Sequence, residues 1–312
     1  MAASLDDLTG KVEAGEPLSK EDVAALGSSR DIIMLGMLAS TVRRKLHGTD
    51  VTYVRVADLK VGPTAQGIGN TSVVPTFRPA ETAGECRIFD TPATLDACLE
   101  VVASARDAAG GTPHSAFCLF ELGKLPEGLP VVLAALKKAG LDLIAQAPID
   151  RLAEPEQGLE ALTDAGLTLS RLTVDQTPAG EWTALCHRIA DLQTRLRSIR
   201  AFAPLARRID ATEPTTGYAD VKRVAIARLL TGNVDTIQVD WALYGPKLAQ
   251  VALTFGADDI DSVSAEDDVS HGRRRSPLEE IRRSIRAAGF EPVERDGDFV
   301  QRPSSSGGGV RR

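Results

Sequence analysis

The sequence predicts an α/β protein, a TIM-like (β/α) barrel preceded by N-terminal capping helices. Three observations carry this reading. Eight short apolar, β-branched runs recur along 312 residues. Amphipathic helical patterns separate them, as in parallel β/α units. The Gly-rich turn that an open dinucleotide-binding sheet needs after its first strand is missing, since "GPTAQGIGN" (62–70) has no G-x-G-x-x-G and no P-loop lysine follows it.

The first 48 residues read as helices. Ser19 with Asp22, and Ser28 with Asp31, have capping-box spacing. A second helix places Ile32, Leu35, Leu38, Val42 and Leu46 on one face, with Arg43, Arg44 and Lys45 near its negative end. Gly48 stops it. The strand candidates then follow: 51–56, 86–89, 115–120, 141–146, 169–174, 199–205, 235–241 and, with the weakest pattern, 258–263. Between the second and third lies "TPATLDACLEVVASARDAAG", which reads as a helix capped by Thr91 with Pro92 at its first position. Residues 61–85 read as a long polar loop, of the kind that is usually functional. The chain divides into a helical cap (1–48), a barrel (49–300) and a disordered tail (301–312).

Composition excludes several classes. The net charge of −7 argues against a nucleic-acid partner. The basic stretch "HGRRRSPLEEIRR" (271–283) is a local exception that reads first as a solvated loop and helix start. The longest apolar run, 32–42, is too short to span a bilayer, and the acidic N-terminus is not a secretory signal. Cys86, Cys98, Cys118 and Cys186 show no short spacing and read as free thiols of a reducing compartment, so the cytoplasm is expected. His47, His114, His187 and His271 are scattered, and no G-x-S-x-G or H-E-x-x-H occurs.

Barrel chemistry sits at the carboxyl ends of the strands. Those ends read as an acidic mouth with few cationic partners: Asp90, Glu121, Asp150, Asp175, Arg207, Asp240 with Trp241, and Asp258, Asp259 and Asp261. The densest segment is 233–262, where a helix start holds Tyr244, Gly245, Pro246 and Lys247. Backbone N–H groups there favour anions. The candidate ligand-binding set is therefore Asp240, Trp241, Tyr244, Lys247, Asp258, Asp259, Asp261 and Glu121. Each acidic residue has an ordinary alternative role in capping the next helix. Trp241 and Tyr244 could equally pack under a loop. No catalytic pair stands out.

Taken together, "GEPLSKEDVAAL" (15–26), "LASTVRRKLHGTDVTYV" (38–54), the ordered text of 214–261 and "IRRSIRAAGFEPVERD" (281–296) resemble the radical SAM enzymes of the futalosine route to menaquinone. Those are aminofutalosine synthase and dehypoxanthine futalosine cyclase, with the related F420 synthase subunits. The resemblance implies a radical SAM-like barrel. It also implies a C-x3-C-x2-C segment after the first strand, whose three thiolates hold a [4Fe–4S] cluster with one open iron. Between Val51 and Glu85 this chain has no cysteine, and residues 49–85 contain no histidine. The expectation is a cluster-free pseudoenzyme: no [4Fe–4S] cluster, no S-adenosylmethionine and no metal. It would be a ligand-binding or accessory protein for a small molecule related to menaquinone precursors, a homodimer or the partner of an active radical SAM relative. The alternative is a cofactor-independent lyase or hydrolase working through carboxylates at the mouth.

Overall fold

Helices α1 (Leu5–Ala14), α2 (Lys20–Ser28) and α3 (Ile32–His47) come first. This is a computed structural model, and it describes residues 5–16, 18–63, 71–74, 82–176, 179–208, 215–265 and 278–302. The capping box at α2 is formed: the Asp22 N–H donates to Ser19 Oγ at 3.2 Å, and the Ser19 N–H donates to Asp22 at 2.8 Å. The second proposed box is not. Asp31 itself caps α3, accepting from the Met34 N–H at 3.0 Å, while Ser28 closes α2. Gly36 lets α3 lie against the Phe255 ring, where an added Cβ would sit 2.9 Å from a ring carbon.

The strands follow in order. After β1 (Asp50–Asp58), the segment read as a loop contains an antiparallel hairpin, β2 (Lys60–Pro63) and β3 (Thr71–Val74). Then come β4 (Glu85–Ile88), α4 (Leu95–Ala109), β5 (His114–Cys118), the single turn α5 (Leu119–Leu122), α6 (Leu129–Lys138) and β6 (Leu143–Pro148). Next are α7 (Pro155–Asp164), the short β7 (Thr168–Leu169) and β8 (Leu172–Val174), α8 (Trp182–Leu196), β9 (Ala201–Ala206) and α9 (Gly217–Leu230). The chain continues through β10 (Thr236–Asp240), α10 (Trp241–Leu253), β11 (Asp259–Ser264), α11 (Leu278–Ala287) and β12 (Glu291–Arg295). All eight strand candidates are strands over most of their span. Leu119 and Phe120 depart from the reading, because they already belong to α5. Helix α4 is capped by Thr94, not Thr91, whose hydroxyl instead accepts from the Cys118 N–H at 3.2 Å.

Neighbouring barrel strands are parallel, and β11 returns to pair with β1 through Thr52↔Asp259, Tyr53↔Ile260, Arg55↔Val263 and Val56↔Ser264. This closes an eight-stranded parallel barrel with helices outside it. The other edge of β1 is shared: its first half pairs with β12 from Asp50↔Glu291 to Val54↔Arg295, and its last residues pair with β4. The last strand is thus wedged in at the amino-terminal foot of the barrel. The apolar core lies between strands and helices, from Tyr53, Ile144 and Phe202 out to Val102, Leu133, Ile189 and Leu253. Among the described residues no helix is long and apolar enough to cross a membrane. Residues 303–312, read as a tail, lie outside the described residues.

Candidate functional site

Alternate side chains of a strand point to opposite faces, and hydrogen bonds between non-adjacent strands reveal which face is the lumen. Arg87 on β4 reaches past β1 to Asp261 on β11, with Nη1 and Nη2 at 3.0 and 2.9 Å from its oxygens. Arg171, between β7 and β8, ion-pairs with the same carboxylate from across the barrel. The lumen is therefore lined by charge. Arg87 also grips Glu85 through Nε at 2.8 Å and Nη2 at 2.6 Å, and Ser115 donates to Glu85. Burial opposes ionisation of Glu85, but Arg87, Arg171 and these donors hold its carboxyl below the usual range.

A layer lower, Asp259 accepts from Arg295 through Nε at 2.6 Å and Nη2 at 2.8 Å, from Gln238 at 2.8 Å, and from Thr52. In register with Asp261 on the neighbouring strand is Asp240, at the carboxyl end of β10. Its carboxylate accepts from the Leu243 N–H at 2.9 Å, capping α10, from Arg207 at 3.2 Å, and from Ser262 at 3.0 Å. Burial works against its charge. Arg207 and Arg171 outweigh that and keep it below the usual carboxylate value.

Arg171 is the exception in this network. It is buried and shares Asp261 with Arg87, yet none of its three guanidinium nitrogens makes an aligned hydrogen bond among the described residues. Burial, with Arg87 and Arg207 nearby, pushes its proton affinity well below the ordinary guanidinium value.

The predicted site residues divide by height. Asp240, Trp241 and Tyr244 gather at the mouth. The Tyr244 hydroxyl donates to the Ala206 carbonyl, tying α10 to the end of β9, and burial pushes its proton affinity up. Trp241 is buried, with its indole N–H unpartnered among the described residues. At Gly245 (φ 76°, ψ 170°) the helix breaks, and Pro246 starts a second helical piece that leaves Lys247 in solvent. Glu121, on α5, is 39% exposed and paired with Lys124 at 2.5 Å.

The reading of "GADDID" as a strand end is corrected: it is a strand beginning. Asp258 precedes β11 at the foot, ion-paired with Arg228, Asp259 points into the lumen, and Asp261 stands in register with Asp240. The expectation of few cationic partners also fails, since Arg87, Arg171, Arg207 and Arg295 serve these carboxylates. These arginines, with Glu85 and Ser262, are what the sequence reading missed or undervalued. The signal was there: Glu85-Cys86-Arg87-Ile88 and Asp259-Ile260-Asp261 alternate charge with apolar residues.

The thiols do not fit an iron–sulfur cluster. Cys86 lies on β4 and Cys98 on α4, both packed in the apolar core, as is Cys186 on α8. Cys118 ends β5 and is buried as well. Burial pushes the Cys86 thiol to about 12 and Cys98 to about 11, and raises Cys118 and Cys186. A cluster needs adjacent thiolates.

The barrel is shared with solved structures. The FeFe-hydrogenase maturase HydG from Carboxydothermus hydrogenoformans aligns over 93% of this chain and 79% of its own, with a TM-score of 0.65 at 13% identity. Methylornithine synthase aligns over 94% and 98%, with a TM-score of 0.66 at 14% identity. In sequence, the chain is 28% identical to aminodeoxyfutalosine synthase of Thermus thermophilus over 92% of both chains. It is 30% identical to cyclic dehypoxanthine futalosine synthase of Streptomyces coelicolor over 50% of this chain and 44% of that one. Over a shorter stretch, 30% of this chain and 27% of the other, it is 42% identical to 5-amino-6-(D-ribitylamino)uracil–L-tyrosine 4-hydroxyphenyl transferase of Methanothermobacter thermautotrophicus. Residues 194–307 match the CofH/MqnC C-terminal region. By fold the protein is a closed (β/α) barrel of the kind seen in HydG and methylornithine synthase. By sequence it is similar to aminodeoxyfutalosine synthase over most of its length and to cyclic dehypoxanthine futalosine synthase over half of it.

Proposed function

We propose that this chain is a cluster-free homologue that binds a small molecule of the futalosine pathway at the barrel mouth, as an accessory protein without radical chemistry. The observation that carries the proposal is the thiol inventory. No cysteine stands between Val51 and Glu85, and the four present are buried and dispersed. The names of the relatives supply the ligand class. Asp240, Glu85 and Asp261 each have a guanidinium partner, which makes them charge partners rather than free bases and favours binding over turnover.

The test is anaerobic reconstitution with iron and sulfide, followed by titration with aminodeoxyfutalosine and cyclic dehypoxanthine futalosine. The proposal expects no stoichiometric cluster and saturable binding without product. Asp240→Asn keeps the helix-capping oxygen but loses the charge facing Arg207. It is expected to weaken binding about tenfold, about 1.4 kcal/mol. One cluster per chain with cleavage of S-adenosylmethionine, or turnover of either compound, would overturn it.

A further inference from the structure

A cavity of about 570 Å³ opens at the foot of the barrel, the end opposite the mouth. Asp50, Thr52 and Thr236 line it from the first residues of β1 and β10, Asp235 and Asp258 from the turns that enter β10 and β11, and His47 from the end of α3. A space of this size holds a small organic molecule.

Its hydrogen-bonding capacity is lopsided. The cationic groups on its wall each have a partner within the protein. Arg295 holds both oxygens of Asp259, Arg200 donates through Nη1 to the Asp298 carbonyl at 3.1 Å, and the His47 ring N–H is placed to donate to the Asp235 carbonyl at 2.7 Å, with Asp258 at 3.6 Å. The Asp258 carboxylate is likewise engaged, by Arg228 and by the Ile237 N–H at 3.1 Å.

The acceptors at the rim are not engaged. Asp50 and Asp235 are exposed residues at the rim, and neither side chain has a hydrogen bond or ion pair among the described residues. Thr236 is a second, independent observation. It is only 8% exposed, it shares a strand face with the lumen residue Gln238, and its hydroxyl has no partner among the described residues. Helices α3 and α9 both end at the foot, because barrel helices run opposite to the strands, so their negative dipole ends point the same way.

We propose that this foot cavity is a binding site for a small organic cation of the amine class, whose N–H donors bridge Asp50, Asp235 and the Thr236 hydroxyl. The site is separate from the mouth and does not depend on the function proposed for it.

The experiment titrates the full chain with 1,4-diaminobutane and, as an anionic control, succinate, in buffer of physiological ionic strength, by calorimetry and by backbone amide NMR shifts. The expected result is saturable diamine binding with shifts centred on residues 47–52 and 234–237. Asp50→Asn with Asp235→Asn is expected to weaken it at least tenfold. Thr236→Val, which preserves shape and carries no charge, is expected to weaken it severalfold with an unchanged melting temperature. Absence of saturable diamine binding, equal affinity in all variants, or a preference for succinate would overturn the site.

Discussion

At the scale of single residues, Arg87 and Arg171 carry the same charge in the same lumen and are expected to respond differently to removal. Arg87 is the bidentate partner of both Glu85 and Asp261. Arg87→Met would leave two carboxylates buried, one without a guanidinium partner, at a cost of about 3–5 kcal/mol. Arg171 shares Asp261 with Arg87, adds only unbonded positive charge near Glu85 and Asp240, and makes no aligned hydrogen bond among the described residues. Arg171→Met is therefore expected to lie within about 1 kcal/mol of the native chain, since replacing a poorly compensated buried charge by an apolar side chain is often neutral. Urea unfolding of the two variants decides it, and equal losses would mean that Arg171 is held as firmly as Arg87.

Asp258 adds a pH dependence at the same scale. Burial outweighs Arg228 and His47 and lifts its carboxyl to about 6, against about 3.9 for an unfolded aspartate. Below about pH 4 both states are protonated and the group contributes nothing. Between about 4 and 6 the unfolded chain gives up this proton first, so stability falls as pH rises, by roughly 3 kcal/mol in total. Above that range the loss is complete. Asp258→Asn is expected to remove this slope. The stability difference between native chain and variant, measured at pH 4.5 and pH 7, must shift in the variant's favour at the higher pH. A constant difference would refute the assignment.

At the scale of elements, the turn from α10 into β11 depends on Gly256. Its φ is +103°, and an added Cβ would lie 2.8 Å from Arg228 Cβ and 3.0 Å from Ala39 Cβ. Both neighbours are attached directly to helix backbones, so neither can swing away. Gly256→Ala combines a left-handed conformation with overpacking and is expected to cost about 2–4 kcal/mol. Gly36→Ala meets the movable Phe255 ring instead and is expected to cost less. A thermal melt of both variants gives the order, and a smaller loss at Gly256 would show that the turn relaxes.

The elements also show what was legible in the sequence. Apolar β-branched runs and their helical spacers announced all eight barrel strands, because both periodicities are local properties of the chain. Three features were not local. The hairpin at Lys60–Pro63 and Thr71–Val74 is antiparallel structure inside what polarity marks as a loop. The strand Glu291–Arg295 has an exposed start and a half-buried middle, so it lacks a core-strand pattern, and it is a strand because β1 offers it an edge. "DDID" sits on a strand, but whether it heads or ends that strand depends on where Asp258 meets Arg228 and where Asp259 meets Arg295, contacts made 30 and 36 residues away. For the candidate site, Asp240, Trp241 and Tyr244 were legible as a group, and the charge alternation around Arg87 was legible too, but which carboxylates the arginines serve is set by contacts made only when the barrel closes.

At the scale of the whole molecule, closure ties the two ends of the chain to one strand. Strand β1 pairs with β11 on one edge, and with β12 and then β4 on the other. β12 fills the part of that edge that β4 does not reach. It also carries Arg295 into the lumen, where the guanidinium holds Asp259 and stacks 3.8 Å from the Phe299 ring centroid. Ending the chain after Phe290 would expose half an edge strand at the foot and leave Asp259, among the described residues, with Thr52 and Gln238 as donors. The truncated chain is expected to lose cooperative unfolding and to associate through the bared edge of β1. Arg295→Met keeps the strand and removes only the charge pairing. It is expected to unfold cooperatively with a loss of about 3–5 kcal/mol. Calorimetry with light scattering separates the two. If the truncated chain stays monomeric and melts cooperatively, the barrel closes without its last strand, and Arg295 acts on Asp259 alone rather than on the fold.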